Sequence, residues 1–157
     1  MKTLEWRFVN KSNWGGGPWQ DEPDKKQWLD KATGLPCLIV RGPAGALCGY
    51  VGVPKGHPWF GRHYSEIEPP PEVHGSLTFS NFCSTDGEHG VCHVVENETG
   101  IVWWLGFDCN HLYDHAPALK AFELDYPTSD EIYRDLSYVE SECRKLARQA
   151  NKAKVAK

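Results

Sequence analysis

The sequence has little that would direct it to a membrane or out of a cell. Its longest strongly apolar run, residues 101–107, is far too short to cross a bilayer. Residues 1–7 show no apolar stretch of the kind that a secretory signal needs. We therefore expect no membrane contact and a cytoplasmic location, where the six cysteines stay mainly reduced. Cys83 and Cys92 could close a small disulfide loop, but a disulfide is not expected in that compartment.

The chain also lacks an excess of positive charge. Its net charge is −4, so its overall balance does not point to a nucleic-acid partner. Six basic residues and no acidic ones do lie between Arg144 and Lys157. We interpret this cluster as a solvated helix end whose cations complement the helix dipole, because no aromatic residues are interleaved with the charges. Nucleic acid is therefore not expected as a partner.

Aromatic residues, in contrast, are abundant. Seven Trp, six Tyr and six Phe accompany a single Met. Such rings bury large areas on folding, and a chain of 157 residues is long enough to enclose one hydrophobic core. We predict a single domain over residues 1–157, with a basic C-terminal tail at about residues 151–157 that is frayed.

Hydrophobic periodicity predicts an α+β fold. The first half of the chain indicates two consecutive hairpins, with turn signals at residues 32–34 and 42–45. Further strand candidates lie at residues 73–80, 90–95 and 101–107. Near the C terminus, apolar residues recur at helical spacing on one face: Val139, Cys143, Leu146 and Ala150. The prediction is an antiparallel, aromatic-rich sheet of about six strands packed by a C-terminal helix.

Residues 54–72 form a long connection that is rich in Pro and Gly. This segment has little regular pattern and exceeds the usual length of a connection in a compact domain. Loops of this length tend to be functional, and this one carries His57 and His63. We expect it to lie near the site, with His57 as a candidate catalytic residue on a loop that closes over substrate.

Side chains suited to acid–base or metal chemistry gather between His74 and Asp114. The most apolar predicted strand ends at Asp108, directly before a polar run that holds His111. If the strand that begins at His74 pairs antiparallel with the strand that ends at Asp108, residue 79 lies opposite residue 103. His74, Asp108, His111 and Asp114 then converge at one end of the sheet. In a simple up-down-up meander they would not converge.

The convergent arrangement predicts a divalent metal site. Mixed imidazole and carboxylate ligation suits zinc, manganese or iron, with zinc favoured here and one position left open for water. The candidate metal ligands are His74, Asp108, His111 and Asp114. A metal held there would acidify its bound water for hydrolysis, with Asp114 as a ligand or as the catalytic base.

Two alternatives use the cysteines. The first is a closed structural zinc site, whose candidate ligands are Cys83, Cys92 and His93 with Cys109 or His111. A turn is needed there, because adjacent residues on a strand point to opposite faces. The second alternative is a nucleophilic Cys109, activated by a nearby histidine that Asp108 or Asn110 orients.

A third alternative is that the polar residues are structural. Histidines and cysteines in an aromatic-rich domain can be core groups with satisfied hydrogen bonds. Asp108 could cap the turn that follows it, and Asp114 could cap a short helix starting near Ala116.

Five motifs stand out along the chain: Cys37-Leu-Ile-Val-Arg41, Leu47-Cys-Gly-Tyr-Val-Gly-Val-Pro54, Gly56-His-Pro-Trp-Phe-Gly61, Val73-His-Gly-Ser-Leu-Thr-Phe79 and Trp103-Trp-Leu-Gly-Phe-Asp-Cys-Asn-His111. Together with the segment from Tyr133 to Ala147, they resemble a family of small proteins of phages, prophages and bacterial genomes. The resemblance extends from about Trp14 to Gln149. It implies a phage-related origin and the cytoplasm of a bacterial host, and it supplies no mechanism.

The chain departs from the family pattern after the first histidine. The family usually has His-Gly-Gly where this chain has His74-Gly75-Ser76. Because a serine favours ordinary backbone angles, we expect no extreme angle at position 76. The family pattern also retains an aspartate like Asp114. The resemblance therefore supports a shared site that includes Asp114, and also His57 from the Gly-His-Pro run.

Two functions follow as hypotheses. The first is a small metal-dependent hydrolase in which His74, Asp108 and His111 hold the metal and Asp114 acts as ligand or base. The second is a non-enzymatic phage accessory protein that binds and modulates a host protein. In that case the polar cluster is structural, and exposed tryptophans are the anchors of the interface: Trp14, Trp19 and Trp59.

Overall fold

The computed structural model describes residues 3–83, 89–93, 101–120 and 130–155. Its strands are β1 (Leu4–Trp6), β2 (Lys25–Leu29), β3 (Pro36–Arg41), β4 (Leu47–Pro54), β5 (Phe79–Phe82) and β6 (Val102–Asp108). They form one antiparallel sheet in the order β1-β2-β3-β4-β6-β5. The helices are α1 (Pro117–Lys120) and α2 (Leu136–Val155), with single 3₁₀ turns at Pro18–Gln20 and Tyr64–Glu66. The predicted α+β architecture, with six strands and a C-terminal helix, is confirmed.

Helix α2 covers one face of the sheet with the residues that its periodicity predicted. The apolar positions of that face are fully buried: Val139, Cys143, Leu146 and Ala150. The helix approaches β4 closely at Gly49, where a β-carbon would overlap the ring of Phe107 and crowd the sulfur of Cys143. A larger residue at position 49 would therefore separate the helix from the sheet and weaken the main core.

The opposite face of the sheet carries a smaller apolar cluster of Leu38, Val40, Tyr50 and Trp104. The segment 89–93 contributes to this side, since Val91 packs against the cluster and the ring of His93 lies 5.2 Å from that of Trp104. A disulfide between Cys83 and Cys92 ties this segment to the end of β5. The expectation that both thiols are reduced is therefore wrong. That expectation rested on the redox state of the compartment, whereas the fold brings the two Cα atoms to 4.8 Å.

The pairing of β5 with β6 is antiparallel, as the convergent arrangement requires, but its register differs from the expected one. Phe79 lies opposite Gly106 and not opposite Trp103. The strand predicted over residues 73–80 begins only at Phe79, because a turn at residues 74–75 precedes β5. The predicted strand 90–95 is also wrong for residues 90–93, which form no strand, and residues 94–95 lie outside the described residues.

The connection from residue 54 to residue 72 packs against the core. Two of its residues, Trp59 and Ile67, are buried in that core. At its end, Gln149 of α2 holds Glu72 by two hydrogen bonds, one from the Glu72 N–H at 2.7 Å and one to the Glu72 carbonyl at 2.8 Å. These bonds fasten the segment 70–74, which we call the strap, along α2. The strap leads directly into His74.

Helix α2 continues to Val155, so the described part of the predicted frayed tail is helical. Lys152 and Lys154 lie in its last turn, where cations interact favourably with the helix dipole. Among the helices of the described ranges, none has the length and apolar character needed to span a membrane.

Candidate functional site

The structure brings His74, Asp108, His111 and Asp114 into one region beyond the end of β6. His74 Nε2 lies 2.8 Å from Asp114 Oδ2. The rings of His74 and His111 are 6.0 Å apart between centroids, and His111 Nε2 lies 3.2 Å from Asp108 Oδ1. The antiparallel pairing of β5 with β6 accounts for this proximity, because it places the start of one strand beside the end of the other.

His74 lies between two ionisable side chains. Its Nε2 is 2.8 Å from Asp114 Oδ2, and its Nδ1 is 2.8 Å from the hydroxyl oxygen of Tyr138. An ionised carboxylate can only accept a hydrogen bond, so Nε2 carries the proton. In the neutral imidazole, Nδ1 is then free of hydrogen and accepts the hydrogen bond that the Tyr138 hydroxyl donates. We call Asp114, His74 and Tyr138 the relay.

Asp114 is the anion of the relay. Its side chain is only 1% exposed, and burial by itself would raise its pKa. The hydrogen bonds from His74, from the N–H of His111 and from Arg134 outweigh burial, and the pKa of Asp114 is lowered. The last two bonds both measure 3.0 Å. Asp114 is therefore ionised at neutral pH, and it orients the imidazole of His74.

Tyr138 is the hydroxyl end of the relay. Burial and then the nearby carboxylate of Glu142 raise its pKa, while the charge of Arg134 acts in the opposite direction without cancelling them. The guanidinium of Arg134 lies 5.0 Å from the centroid of the Tyr138 ring. The hydroxyl is therefore protonated at neutral pH and can donate to His74 Nδ1.

Glu142 fixes the backbone of His74. Its Oε1 accepts a hydrogen bond from the His74 N–H at 2.9 Å. Glu142 follows Tyr138 by four residues on α2, so the two side chains project from the same side of the helix. One face of α2 therefore holds both the ring and the backbone of His74.

The backbone beside the relay is held in an unusual conformation. Among the described residues, Ser76 (φ 65°) and Tyr113 (φ 72°) are the non-glycine residues with positive φ. Ser76 follows His74 by two residues, and Tyr113 directly precedes Asp114. The expectation of an ordinary angle at Ser76 is therefore wrong. Gly75 also has positive φ, and a β-carbon there would overlap the ring of His111. Strain of this kind is kept where the surroundings require it, often at functional sites.

Asp108 and His111 lie beside the relay. Asp108 accepts hydrogen bonds from the Thr78 hydroxyl at 2.9 Å and from the Asn110 N–H at 3.1 Å, so it does cap the turn after β6. His111 Nε2 is buried, and Asp108 Oδ1 at 3.2 Å is not aligned with it as a hydrogen-bond partner. Asp114 accepts from the N–H of His111 in the turn before α1.

The four candidate metal ligands are neighbours, but they do not surround a common point. Both ring nitrogens of His74 are engaged by Tyr138 and Asp114. In the described ranges, no group of three or more His, Cys, Asp or Glu side chains is arranged to hold a metal ion. A metal at His74, Asp108, His111 and Asp114 therefore stays a prediction, and the geometry supports chemistry by the side chains themselves.

His57, the other candidate catalytic residue, is bound to the backbone. Its Nε2 lies 2.8 Å from the carbonyl of Ala150, and its Nδ1 accepts from the Trp59 N–H at 2.9 Å. These bonds tie the 54–72 connection to α2. The structure therefore gives His57 a position that anchors the connection.

The cysteines do not lie in the environments that a structural zinc site or a nucleophilic Cys109 would require. Cys109 is buried, and burial raises the pKa of its thiol, with Asp114 adding to the effect. An activated nucleophile would need the opposite shift. Cys83 and Cys92 are joined to each other, and His93 Nε2 lies 2.8 Å from the carbonyl of Cys37. These groups are therefore engaged in contacts other than metal ligation.

The tryptophans that were expected as exposed anchors are covered by the fold. Trp19 and Trp59 are buried, and Trp14 is half-buried with its ring 5.8 Å from the guanidinium carbon of Arg41. Their size made them candidates for an interface, but the same size makes them effective core residues in this domain. The expectation of three exposed Trp anchors is therefore wrong.

An open groove of about 480 Å³ lies beside His74. It runs between the strap and α2, and its walls include Pro70, Val73, Ser76, Glu142 and Lys145. The side chain of His74 is 13% exposed, so it is largely covered but still lines part of the groove. A small molecule in this groove would lie against His74.

The residues that complete the site were missed in the sequence. Arg134, Tyr138 and Glu142 all lie far along the chain from His74, and two of them are on α2. Their spacing of four residues was the available signal: positions 134, 138 and 142 recur at a helical period beside the apolar stripe. That pattern resembles an ordinary solvated helix face, and contact with His74 requires the strap to be placed first.

Comparisons with known proteins add no family to this geometry. No protein-family model matches the chain, and no curated protein or solved structure matches it. The resemblance to small phage and bacterial proteins therefore stays a prediction, and what the site can do follows from the arrangement of its residues.

Proposed function

We propose that the protein is a small hydrolase that works by general acid–base catalysis at the relay. The observation that carries this proposal is the position of His74, hydrogen-bonded on one side to a buried carboxylate and on the other to a tyrosine hydroxyl. An imidazole oriented by a carboxylate and bonded to a hydroxyl is the arrangement by which triad hydrolases move a proton. The groove and the strained backbone at Ser76 support the same conclusion.

The relay takes a proton from water in the first step. A water molecule beside Tyr138 gives a proton to the hydroxyl oxygen while the proton of Tyr138 passes to His74 Nδ1. The hydroxide attacks an ester of a carboxylic or phosphoric acid held beside Tyr138, and Asp114 stabilises the imidazolium that forms. The proton returns by the same path to the leaving group. One water is consumed, and the relay is restored.

The surroundings of His74 favour this transfer. Asp114 and Glu142 fix its ring and its backbone, so little reorganisation accompanies the movement of the proton. Tyr138 is held protonated by burial and by Glu142, which suits a group that must pass a proton and not lose it to solvent. Catalysis by positioned acid–base groups contributes roughly 10²–10⁴-fold to a rate.

A panel of chromogenic carboxylic esters, phosphate monoesters and phosphate diesters tests the proposal. The wild-type protein is compared with His74→Ala and Tyr138→Phe. The matched control is His63→Ala, because His63 is an exposed histidine whose ring bonds only locally to Ser65. We expect hydrolysis of at least one ester class by the wild type and the control, and its loss in both relay variants. No hydrolysis across the panel, or hydrolysis that both relay variants retain, would contradict the proposal.

The metal-dependent form of the hydrolase is tested separately. Protein purified without a metal-affinity tag is analysed for bound metal, together with a His111→Ala variant. A stoichiometric metal that is lost in the variant while the fold is retained would support a metal site at His111 and Asp108. Absence of metal, with hydrolysis and thermal stability unchanged in chelator, would assign the chemistry to the relay alone.

A further inference from the structure

A buried carboxylate that precedes β2 holds the start of α2. Glu22 is 8% exposed and lies just before β2. Its Oε1 accepts a hydrogen bond from the Tyr133 hydroxyl at 2.5 Å, and its Oε2 accepts one from the Leu136 N–H at 2.7 Å. Leu136 is the first residue of α2, so Glu22 satisfies one of the free N–H groups of that helix end.

Glu22 is itself fixed by a network of buried charges. The side chain of Arg41 is fully buried and donates to the Tyr133 hydroxyl at 2.9 Å. Arg41 Nη2 lies 3.3 Å from Glu22 Oε1, and Arg41 Nε lies 2.8 Å from Asp24 Oδ1. Lys11 Nζ also lies 2.8 Å from Asp24 Oδ1. Two cations therefore face two carboxylates. Since a buried charge without its partner is costly, the network has little freedom to rearrange.

The two residues that Glu22 holds lie on either side of Arg134. Arg134 Nε donates to Asp114 Oδ1 at 3.0 Å, and its guanidinium lies 5.0 Å from the ring of Tyr138. Arg134 therefore contacts both ends of the relay. Its own side chain is 23% exposed, so its placement depends on the backbone that carries it.

We infer that Glu22 is a positioning residue for the relay, acting through Tyr133 and Leu136 to place Arg134 on Asp114. Its carboxylate fixes the backbone from residue 133 to residue 136, and this fixes the direction from which Arg134 reaches Asp114. Glu22 does not contact the groove. The catalytic meaning of this role rests on the proposed function, but the geometric coupling can be measured without any substrate.

The experiment follows the Nε–H signal of Arg134 by nitrogen NMR in the full chain at constant pH, because its position and slow exchange with water report the hydrogen bond to Asp114. Wild type is compared with Glu22→Gln and with Tyr133→Phe, which removes one hydroxyl and leaves the bond to Leu136. Arg134→Ala identifies this signal, and Asp114→Ala gives the change that accompanies complete loss of the bond. The matched control is Asp30→Asn, because Asp30 is a buried carboxylate that bonds only to its own turn at Thr33.

When Arg134 is no longer held on Asp114, its Nε–H loses its acceptor and its signal moves toward that of a solvated arginine. We expect Glu22→Gln and Tyr133→Phe to move the signal in the same direction as Asp114→Ala, and Asp30→Asn to leave it unchanged. If Glu22→Gln does not fold, Tyr133→Phe alone decides. A signal that stays at the wild-type position in a folded Tyr133→Phe protein, or that moves equally in Asp30→Asn, would overturn the inference.

This result is separable from that of the hydrolase panel. A shifted Arg134 Nε–H signal with no hydrolysis would support the positioning role and reject the proposed function. Hydrolysis that depends on His74, with an unshifted signal in both network variants, would support the function and reject the role of Glu22. If both hold, Tyr133→Phe should lower kcat at saturating substrate while KM changes little, because Tyr133 lies outside the groove.

Discussion

Three histidines of this domain, His57, His93 and His74, occupy two different environments. His57 and His93 each place Nε2 at 2.8 Å from a backbone carbonyl, that of Ala150 and that of Cys37 respectively. Each ring nitrogen of His74 also lies 2.8 Å from its partner, but both partners belong to ionisable side chains. A backbone carbonyl cannot take up or release a proton, whereas a carboxylate and a phenol can.

This difference assigns separate roles to the two groups. Burial lowers the pKa of His93, although its bond to the Cys37 carbonyl acts in the opposite direction. His93 is therefore neutral and structural, and it covers Trp104. His57 joins the 54–72 connection to α2. His74 has neighbours that can exchange protons with it, and it borders the groove. Chemistry is therefore expected at His74, and stability at His57 and His93.

The largest expected effect comes from removing the imidazole of the relay. In His74→Ala, the hydroxyl of Tyr138 loses its acceptor and Asp114 can no longer bind an imidazolium. We expect the turnover rate to fall roughly 10²–10⁴-fold, with unfolding free energy changed much less. Steady-state kinetics and urea unfolding of the same preparation measure both quantities. Loss of stability in proportion to loss of rate would remove the distinction between the two histidine environments.

The reverse pattern is expected for His57. In His57→Ala the carbonyl of Ala150 and the N–H of Trp59 lose their buried partner, and a cavity forms beneath the connection. We expect the unfolding free energy to fall by about 2–3 kcal/mol, from the buried polar groups that lose their partner and the lost packing. The rate per folded molecule should stay within about twofold of wild type. A rate that collapses while the urea midpoint is kept would instead make His57 catalytic.

The pH dependence of unfolding stability gives a smaller and independent test of the role of Asp114. The pKa of Asp114 is lowered in the folded state, so its bonds contribute stability that is present above the unfolded value, about 3.9. This contribution is lost as the pH falls below the unfolded-state pKa of Asp114 and through its folded-state pKa. Asp114→Asn should therefore be less stable than wild type near neutral pH and lose less stability on acidification. Urea midpoints at about pH 7 and about pH 3 measure this. Parallel losses in both proteins would contradict it.

The smallest expected effect concerns the thiols. Burial raises the pKa of Cys109, and burial with the charge of Asp108 raises that of Cys48 to about 11. Few thiolates are then present near neutral pH, so folded protein should react with iodoacetamide far more slowly than unfolded protein. Mass spectrometry of the labelled peptides checks this. Rapid labelling of Cys109 in the folded state would restore the nucleophile hypothesis.

Local patterns in the sequence predicted the elements better than their contacts. The apolar positions from Val139 to Ala150 identified the inner face of α2, because a helical period needs no knowledge of the partner. The strand ending at Asp108 was evident from its apolar run. The register of β5 was not evident in the sequence. It depends on the turn after His74, where Ser76 has a positive φ, and a serine in the sequence does not predict such an angle.

The site was only partly accessible from the sequence for a related reason. Asp108, His111 and Asp114 are close in the chain, and His74 shortly precedes the strand that pairs with β6, so their proximity followed from one antiparallel pairing. Tyr138 and Glu142 reach His74 only because the strap lies along α2, which Gln149 and Glu72 secure. Contacts of this kind join distant segments through a loop of irregular shape, and neither hydrophobic period nor spacing encodes them.

The protonation of the His74 ring tests the central claim most directly. Imidazole nitrogen NMR distinguishes a protonated from an unprotonated ring nitrogen, and the His74→Ala spectrum identifies the signals of His74. For the neutral form of the ring, the account predicts the proton on Nε2 and Nδ1 as an acceptor, and a changed Nδ1 signal in Tyr138→Phe. A proton on Nδ1, or an Nδ1 signal that Tyr138→Phe leaves unchanged, would contradict the relay.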